Sequence, residues 1–95
     1  MDNITVDCIN PAGIGFTTDS KYEKNKTYNL TLKAVLLHKT VDLNLKIAII
    51  GIEKSDSGNY SCRAVHRNLS DTQVAILKEI EGYFISSNLL FATIE

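Results

Sequence analysis

Asp56-Ser57-Gly58-Asn59-Tyr60-Ser61-Cys62 is the stretch on which the fold turns. Gly58 lets the chain reverse where other residues would be strained, and the short carboxylate of Asp56 can bond nearby backbone inside the turn. Tyr60 and Cys62 stand two apart, the spacing of one face of a strand. Immediately upstream, Leu43, Leu45, Ile47 and Ile49 recur at every second position between Val41 and Ile50, and Ile52 follows. That period of two marks a half-buried strand rather than a helix. The segment therefore predicts strand, turn, strand, with the second strand running from Gly58 to His66.

The same pattern extends in both directions. Asn3 to Asn10 alternates, with Ile4, Val6 and Cys8 on one face and Thr5, Asp7 and Ile9 on the other. Pro11-Ala12-Gly13 breaks that strand, and Ile14-Gly15-Phe16 begins the next. Asp19 to Thr27 is polar and lysine-rich and reads as an exposed connection. Tyr28 to Leu37 is a further strand, and His38-Lys39-Thr40 turns it into Val41 to Ile50. Arg67 to Asp71 is a turn, and Thr72 to Leu77 is expected to run back as a last strand. Short strands separated by turn signals at regular intervals predict an all-β, antiparallel domain.

The D-x-G-x-Y-x-C spacing, behind an alternating strand, resembles the tyrosine corner of immunoglobulin-superfamily domains. The resemblance implies a two-sheet antiparallel Greek-key sandwich with Val41–Ile50 as strand E and Gly58–His66 as strand F. It places Cys8 on strand B and implies a Cys8–Cys62 disulfide, which closes a long loop worth about 4 kcal/mol in the chain-entropy model. Asp56, Gly58 and Tyr60 would form the corner, with the Tyr60 hydroxyl bonded to backbone between Ile52 and Asp56. Two departures stand out. The chain has no Trp, so Phe16, or after it Tyr22, would fill the place beside the disulfide. Little sequence precedes Cys8, leaving no room for a full strand A. The sequence after Cys62 exceeds what a final hairpin requires, so residues 1–81 are expected to form the domain. Residues 82–95, with Tyr83, Phe84, Ile85, Leu89, Leu90 and Phe91, are read as a junction to a following domain or as a substitute edge strand.

Two further segments, Cys8-Ile9-Asn10-Pro11-Ala12-Gly13-Ile14-Gly15-Phe16 and Leu77-Lys78-Glu79-Ile80-Glu81-Gly82-Tyr83-Phe84-Ile85, are similar to ectodomain modules of receptor tyrosine kinases. The group is the vascular endothelial and platelet-derived growth factor receptor class. That likeness implies a part in protein-ligand binding, neighbouring immunoglobulin-like domains as partners, and a receptor dimer in the parent protein.

Composition narrows the function classes. Net charge is -1 with an isoelectric point near 6.1, which leaves no electrostatic footprint for nucleic acid. No apolar run reaches the roughly 20 residues needed to span a bilayer as a helix. Five N-x-[ST] sequons begin at Asn3, Asn25, Asn29, Asn59 and Asn68. Eight Asn and fifteen Ser or Thr would produce roughly one sequon by chance placement. The excess points to a secretory route and an extracellular or cell-surface location; the competing explanation is an Asn-rich composition alone.

Catalytic chemistry has no constellation behind it. Ser57 and Ser61 lack an accompanying base, and the five glycines form no phosphate loop. His38 and His66 are the only histidines; His38 falls in a turn and His66 at the end of a strand, toward opposite parts of the domain, so no metal site is expected, and no cofactor. Cys8 and Cys62 form no C-x-x-C pair, though free thiols or zinc ligands are the alternatives to a disulfide. Lys21, Lys24 and Lys26, interleaved with Tyr22 and Tyr28, could touch heparan sulfate or a partner, or simply solvate a loop. The expectation is a non-enzymatic, N-glycosylated binding or spacer domain. Its rival is an intracellular structural immunoglobulin module that acts as a mechanical spacer and keeps its thiols unpaired.

Overall fold

The computed structural model describes residues 2–36, 39–87 and 90–95, with 83–87 described by their backbone alone. Six strands and one helix follow in the order β1 (Asp2–Ile9), β2 (Gly13–Thr18), β3 (Thr27–Val35), β4 (Thr40–Lys54), β5 (Tyr60–Arg67), α1 (Asp71–Ser87) and β6 (Leu90–Ile94). All neighbours are antiparallel, and the sheet closes on itself in the order β1-β2-β5-β4-β3-β6.

The antiparallel all-β expectation therefore stands, but the sheet is a closed barrel and not a pair of stacked sheets. The reason lies in the segment quoted first. In an immunoglobulin sandwich, strands E and F belong to opposite sheets. Here β4 and β5 are adjacent and pair from Lys46↔Arg67 to Lys54↔Tyr60. Asp56 and Gly58 thus sit in a hairpin turn between neighbours. Ser55 N–H donates to the Asn59 carbonyl (2.8 Å), Gly58 N–H donates to the Ser55 carbonyl (3.1 Å), and Gly58 takes φ 89°. That backbone conformation is what the glycine supplies.

Alternation fills the interior. Leu30, Leu32 and Ala34 of β3, Leu43, Leu45, Ile47 and Ile49 of β4, Cys62 and Ala64 of β5, and Ala92 and Ile94 of β6 are all buried. Phe16 of β2 is fully enclosed. Two bulges shift the pattern. One falls between Val6 and Cys8, the other between Ile49 and Gly51. An extra residue reverses every side chain beyond it. Past the first bulge Ile9 is buried and Cys8 is exposed, the reverse of the simple alternation predicted for Asn3–Asn10.

The last strand predicted by the sequence, Thr72–Leu77, is instead the start of α1. Its entry is a capping box: the Ser70 hydroxyl accepts from Gln73 N–H (3.1 Å) and the Gln73 side chain accepts from Ser70 N–H (2.9 Å). Asp71 in the first turn suits the positive end of the helix dipole. Val74, Leu77 and Ile80 recur at helical spacing, and Leu77 and Ile80 are buried in the core. The Gln73 amide donates to the Asn44 carbonyl (3.1 Å), and Lys39 Nζ lies 3.1 Å from Glu79. These contacts lay α1 over the end of the barrel beside the β3–β4 turn.

The boundary expected after residue 81 falls inside α1. The chain beyond it returns as β6, which pairs with β1 (Asp2↔Ile94 to Ile4↔Ala92) and with β3 (Leu30↔Ile94 to Ala34↔Leu90). Of the two outcomes foreseen for the tail, it takes the fold-back one, and as a central closing strand with partners on both sides. The side chains of Tyr83, Phe84 and Ile85, and all of Leu89, lie outside the described residues.

Candidate functional site

The cysteines predicted to pair do not meet. Both are free thiols. Cys8 stands on β1 and Cys62 on β5, with β2 between them: Cys8 pairs with Gly15, and Phe16 with Cys62. Strands two apart are separated by nearly 10 Å, beyond the 4.4–6.8 Å between Cα atoms that a disulfide spans. They also occupy opposite faces of the wall. The Cys8 sulfur lies outside over Gly15, where a Cβ would come within 2.8 Å of it; Cys62 points into the core. Burial pushes the Cys62 thiol above its ordinary pKa, which makes it a poor nucleophile.

Tyr60 opens β5 half-buried and packs against the core. Among the described residues, its hydroxyl makes no bond to Ile52–Asp56. Ser55 and Ser57 hydroxyls bond each other (2.8 Å), and Ser55 also donates to the Asn59 carbonyl (3.1 Å), so the turn is closed without the tyrosine. Ser57 and Ser61 are exposed turn and strand residues.

The lysine-rich connection is less exposed than its composition suggests. Tyr22 is buried, edge-on to Phe16 (6.1 Å between ring centres) and to Tyr28 (5.0 Å). Its hydroxyl donates to Asp2 (3.0 Å). Burial, reinforced by the Asp2 carboxylate, pushes its pKa up to about 12. Lys26 lies 5.6 Å from the Tyr28 ring centre, a cation–π contact, while Lys21 and Lys24 face solvent. The aromatic residues of this run serve the core, and the basic patch is reduced to its lysines.

His38 lies outside the described residues. His66 closes an internal polar contact: its Nε2 is 3.0 Å from the Asn10 carbonyl, and its buried Nδ1 has no partner among the described residues. Burial lowers its pKa below the ordinary 6.5, with the Asn10 and Gly13 carbonyls opposing in part. The unfolded chain therefore binds this proton more readily than the folded one. The stabilisation is complete above the unfolded pKa of about 6.5 and is lost as pH falls toward the depressed folded value. Urea midpoints are expected to drop between pH 7.5 and pH 5.5, and His66→Gln should flatten that drop. An equal drop in the variant would assign the effect to other groups.

The sequon asparagines all reach the surface. Asn3, Asn25, Asn29 and Asn68 are exposed and Asn59 is half-buried. Asn25 (φ 68°) and Asn68 (φ 55°) occupy turns in the left-handed region that asparagine tolerates. Asn3 and Asn29 stand on strands β1 and β3, which flank β6.

One groove lies on that same face, about 280 Å³ in volume, lined by the polar residues Asn3, Thr31, Lys33 and Thr93 and by the apolar Ile4, Leu90, Phe91 and Ala92. Its cause is the short pairing of β6 with β1. The ladder ends at Ile4↔Ala92, while pairing with β3 continues through Lys33↔Phe91 to Ala34↔Leu90. The β1 side of Phe91 is thus left open, and the residue is 59% exposed. The groove offers an aromatic face, hydroxyls, an amide and an ammonium, which is a binding chemistry. Sequence reasoning missed it because the register that brings Phe91 beside Asn3 joins the two ends of the chain.

Among the described residues no His, Cys, Asp and Glu cluster could hold a metal ion. No described helix is long and apolar enough to cross a membrane. Comparison with known protein families, curated proteins and solved structures finds no match.

Proposed function

We propose that this chain is a non-catalytic, N-glycosylated binding module of a secreted or cell-surface protein. The observation that carries the reading is the placement of the five acceptor asparagines, four exposed and one half-buried. A glycan is bulky and hydrophilic, so an acceptor must stand where the fold can leave it in water. The closed barrel suits display. Its described strands each pair on both sides, which limits edge-to-edge aggregation, and its surface can carry sugars and loops without rearranging the core. Protein ligands and neighbouring domains are the proposed partners. The narrower assignment, an immunoglobulin-type domain of a receptor ectodomain, rests on the sequence resemblance and draws no support from the barrel closure.

The free thiols favour a second reading, an intracellular structural module in a reducing compartment. One experiment separates the two. The chain is expressed with a secretion signal in eukaryotic cells, and its mass is compared before and after endoglycosidase treatment. A mass loss accounting for attached glycans supports the secretory reading. An unchanged mass removes its main support and leaves the intracellular one.

A further inference from the structure

We infer that Asn3 is a glycan acceptor whose first N-acetylglucosamine lies in the groove against Phe91, so that the sugar covers the aromatic face left open by the closing strand. The inference rests on the secretory reading and adds a specific site and contact to it.

Strand geometry sets up the acceptor. In Asn3-Ile4-Thr5, Ile4 turns toward the core, while Asn3 and Thr5 are exposed on the outer face. The amide and hydroxyl that define the sequon are thus side by side. Asn3 pairs with Thr93, so Phe91, two residues earlier on β6, is its diagonal neighbour on the same face. Diagonal neighbours in an antiparallel pair lie roughly 7–8 Å apart, a span that one sugar ring bridges.

The groove matches that occupant. Its volume of about 280 Å³ falls at the small end for a ligand site, suited to a single ring system. A pyranose has one largely C–H face and a rim of hydroxyls. The Phe91 ring presents the negative face of its quadrupole to those C–H groups, and Thr31, Thr93 and Lys33 supply hydroxyls and an ammonium for the rim. A protein partner needs roughly 800 Å² of matching surface on each side, whereas this groove is lined by only eight residues, with Phe91 the one large apolar side chain among them that is exposed. Among the described residues Ile50 is the other exposed large apolar side chain. It stands on β4, which does not pair with β6. The cleft beside Asn29 is lined by Thr31, Asn44, Lys46 and Glu95 and has no aromatic residue. Asn3 is therefore set apart from Asn29, the other sequon asparagine on a strand that pairs with β6.

The chemistry is that of an oligosaccharyltransferase acting on the chain before it folds. The Asn3 amide nitrogen attacks the anomeric carbon of a lipid-pyrophosphate-linked oligosaccharide. The N–C bond forms as the bond from that carbon to the pyrophosphate oxygen breaks. The lipid pyrophosphate leaves with the electron pair, and the amide nitrogen gives up one proton to the transferase. Barrel closure then brings Phe91 up beside the attached sugar.

The test uses the whole chain secreted from eukaryotic cells, with occupancy read at each sequon by glycopeptide mass spectrometry. The glycans are trimmed to one N-acetylglucosamine before thermal unfolding. Asn3 is expected to be occupied. The single sugar should raise the unfolding midpoint by about 4 °C over Asn3→Gln, and Phe91→Ala should abolish that increment while Phe91→Tyr keeps it. Thr5→Ala, which removes the sequon but leaves Asn3, should behave as Asn3→Gln does. An empty Asn3 with other sequons occupied overturns this inference and leaves the secretory reading standing. Occupied Asn3 with the same increment in Phe91→Ala overturns the packing. If no sequon is occupied, the secretory reading fails first.

Discussion

Removing Leu90–Glu95 is expected to unfold the domain. β6 is five residues long, yet it is the strand that joins β1 to β3. Its loss strips a ladder from both neighbours and leaves two open edges, which invite pairing with other chains. Ile94 is almost wholly buried, and exposing it costs roughly 1.5–3 kcal/mol. Leu30, Leu32 and Ala34, in register with β6, would lose their cover with it. Small domains hold about 5–15 kcal/mol in total, so these losses together are of the same size as the whole stability. The truncated chain should show collapsed amide dispersion by NMR and concentration-dependent association. A peptide of residues 88–95 added in excess should restore dispersion, because the vacant strand position is a template for it. Retention of a sharp unfolding transition by the truncated chain would return the tail to the status of a foreign junction.

The truncation also marks what could be seen in the sequence. β3 and β4 were legible because Leu30, Leu32 and Ala34, and Leu43 through Ile49, keep an unbroken period of two. The Asp56–Cys62 stretch correctly announced a turn feeding a strand. Whether that turn crosses between sheets or joins neighbours depends on where the next strands pair, and D-x-G-x-Y-x-C says nothing of that. Cys8 and Ile9 exchanged faces because a bulge adds a single residue that leaves no trace in composition. α1 carried a usable signal that went unread: Ser70-x-x-Gln73 ahead of Val74, Leu77 and Ile80 is a capping box before a helical period. β6 carried none, since Leu90–Ile94 is apolar enough for an edge, a linker or a core strand alike. The candidate site divides the same way. The sequons are local motifs and could be counted from sequence, whereas the groove needs the register between residues 3 and 93.

Phe16→Ala is expected to be the most damaging point substitution, at about 3–5 kcal/mol. The ring is fully buried, and its neighbours show why the cavity would not close. In register it sits between Val6 of β1 and Cys62 of β5, and Tyr22 packs edge-on against it. Tyr22 is in turn held by Asp2 and by Tyr28, so it cannot follow a vanished ring without giving up its hydroxyl partner. Phe16 is thus interior, but it packs beside a thiol in a barrel wall, not beside a disulfide between two sheets, as a Trp replacement would. The cost should be smaller for Phe16→Leu, which keeps apolar volume. Cys62 supplies an independent readout. Its thiol is enclosed in the native barrel, so alkylation must await opening, and the rate then tracks the population of open molecules. Each 1.4 kcal/mol lost multiplies that population about tenfold, so Phe16→Ala should speed Cys62 alkylation at least a hundredfold while leaving the exposed Cys8 nearly unchanged. A loss under 1 kcal/mol in denaturant, with Cys62 still protected, would mean that Phe16 does not anchor the barrel interior. Faster alkylation without a lower denaturant midpoint would instead locate the change in local opening beside β2.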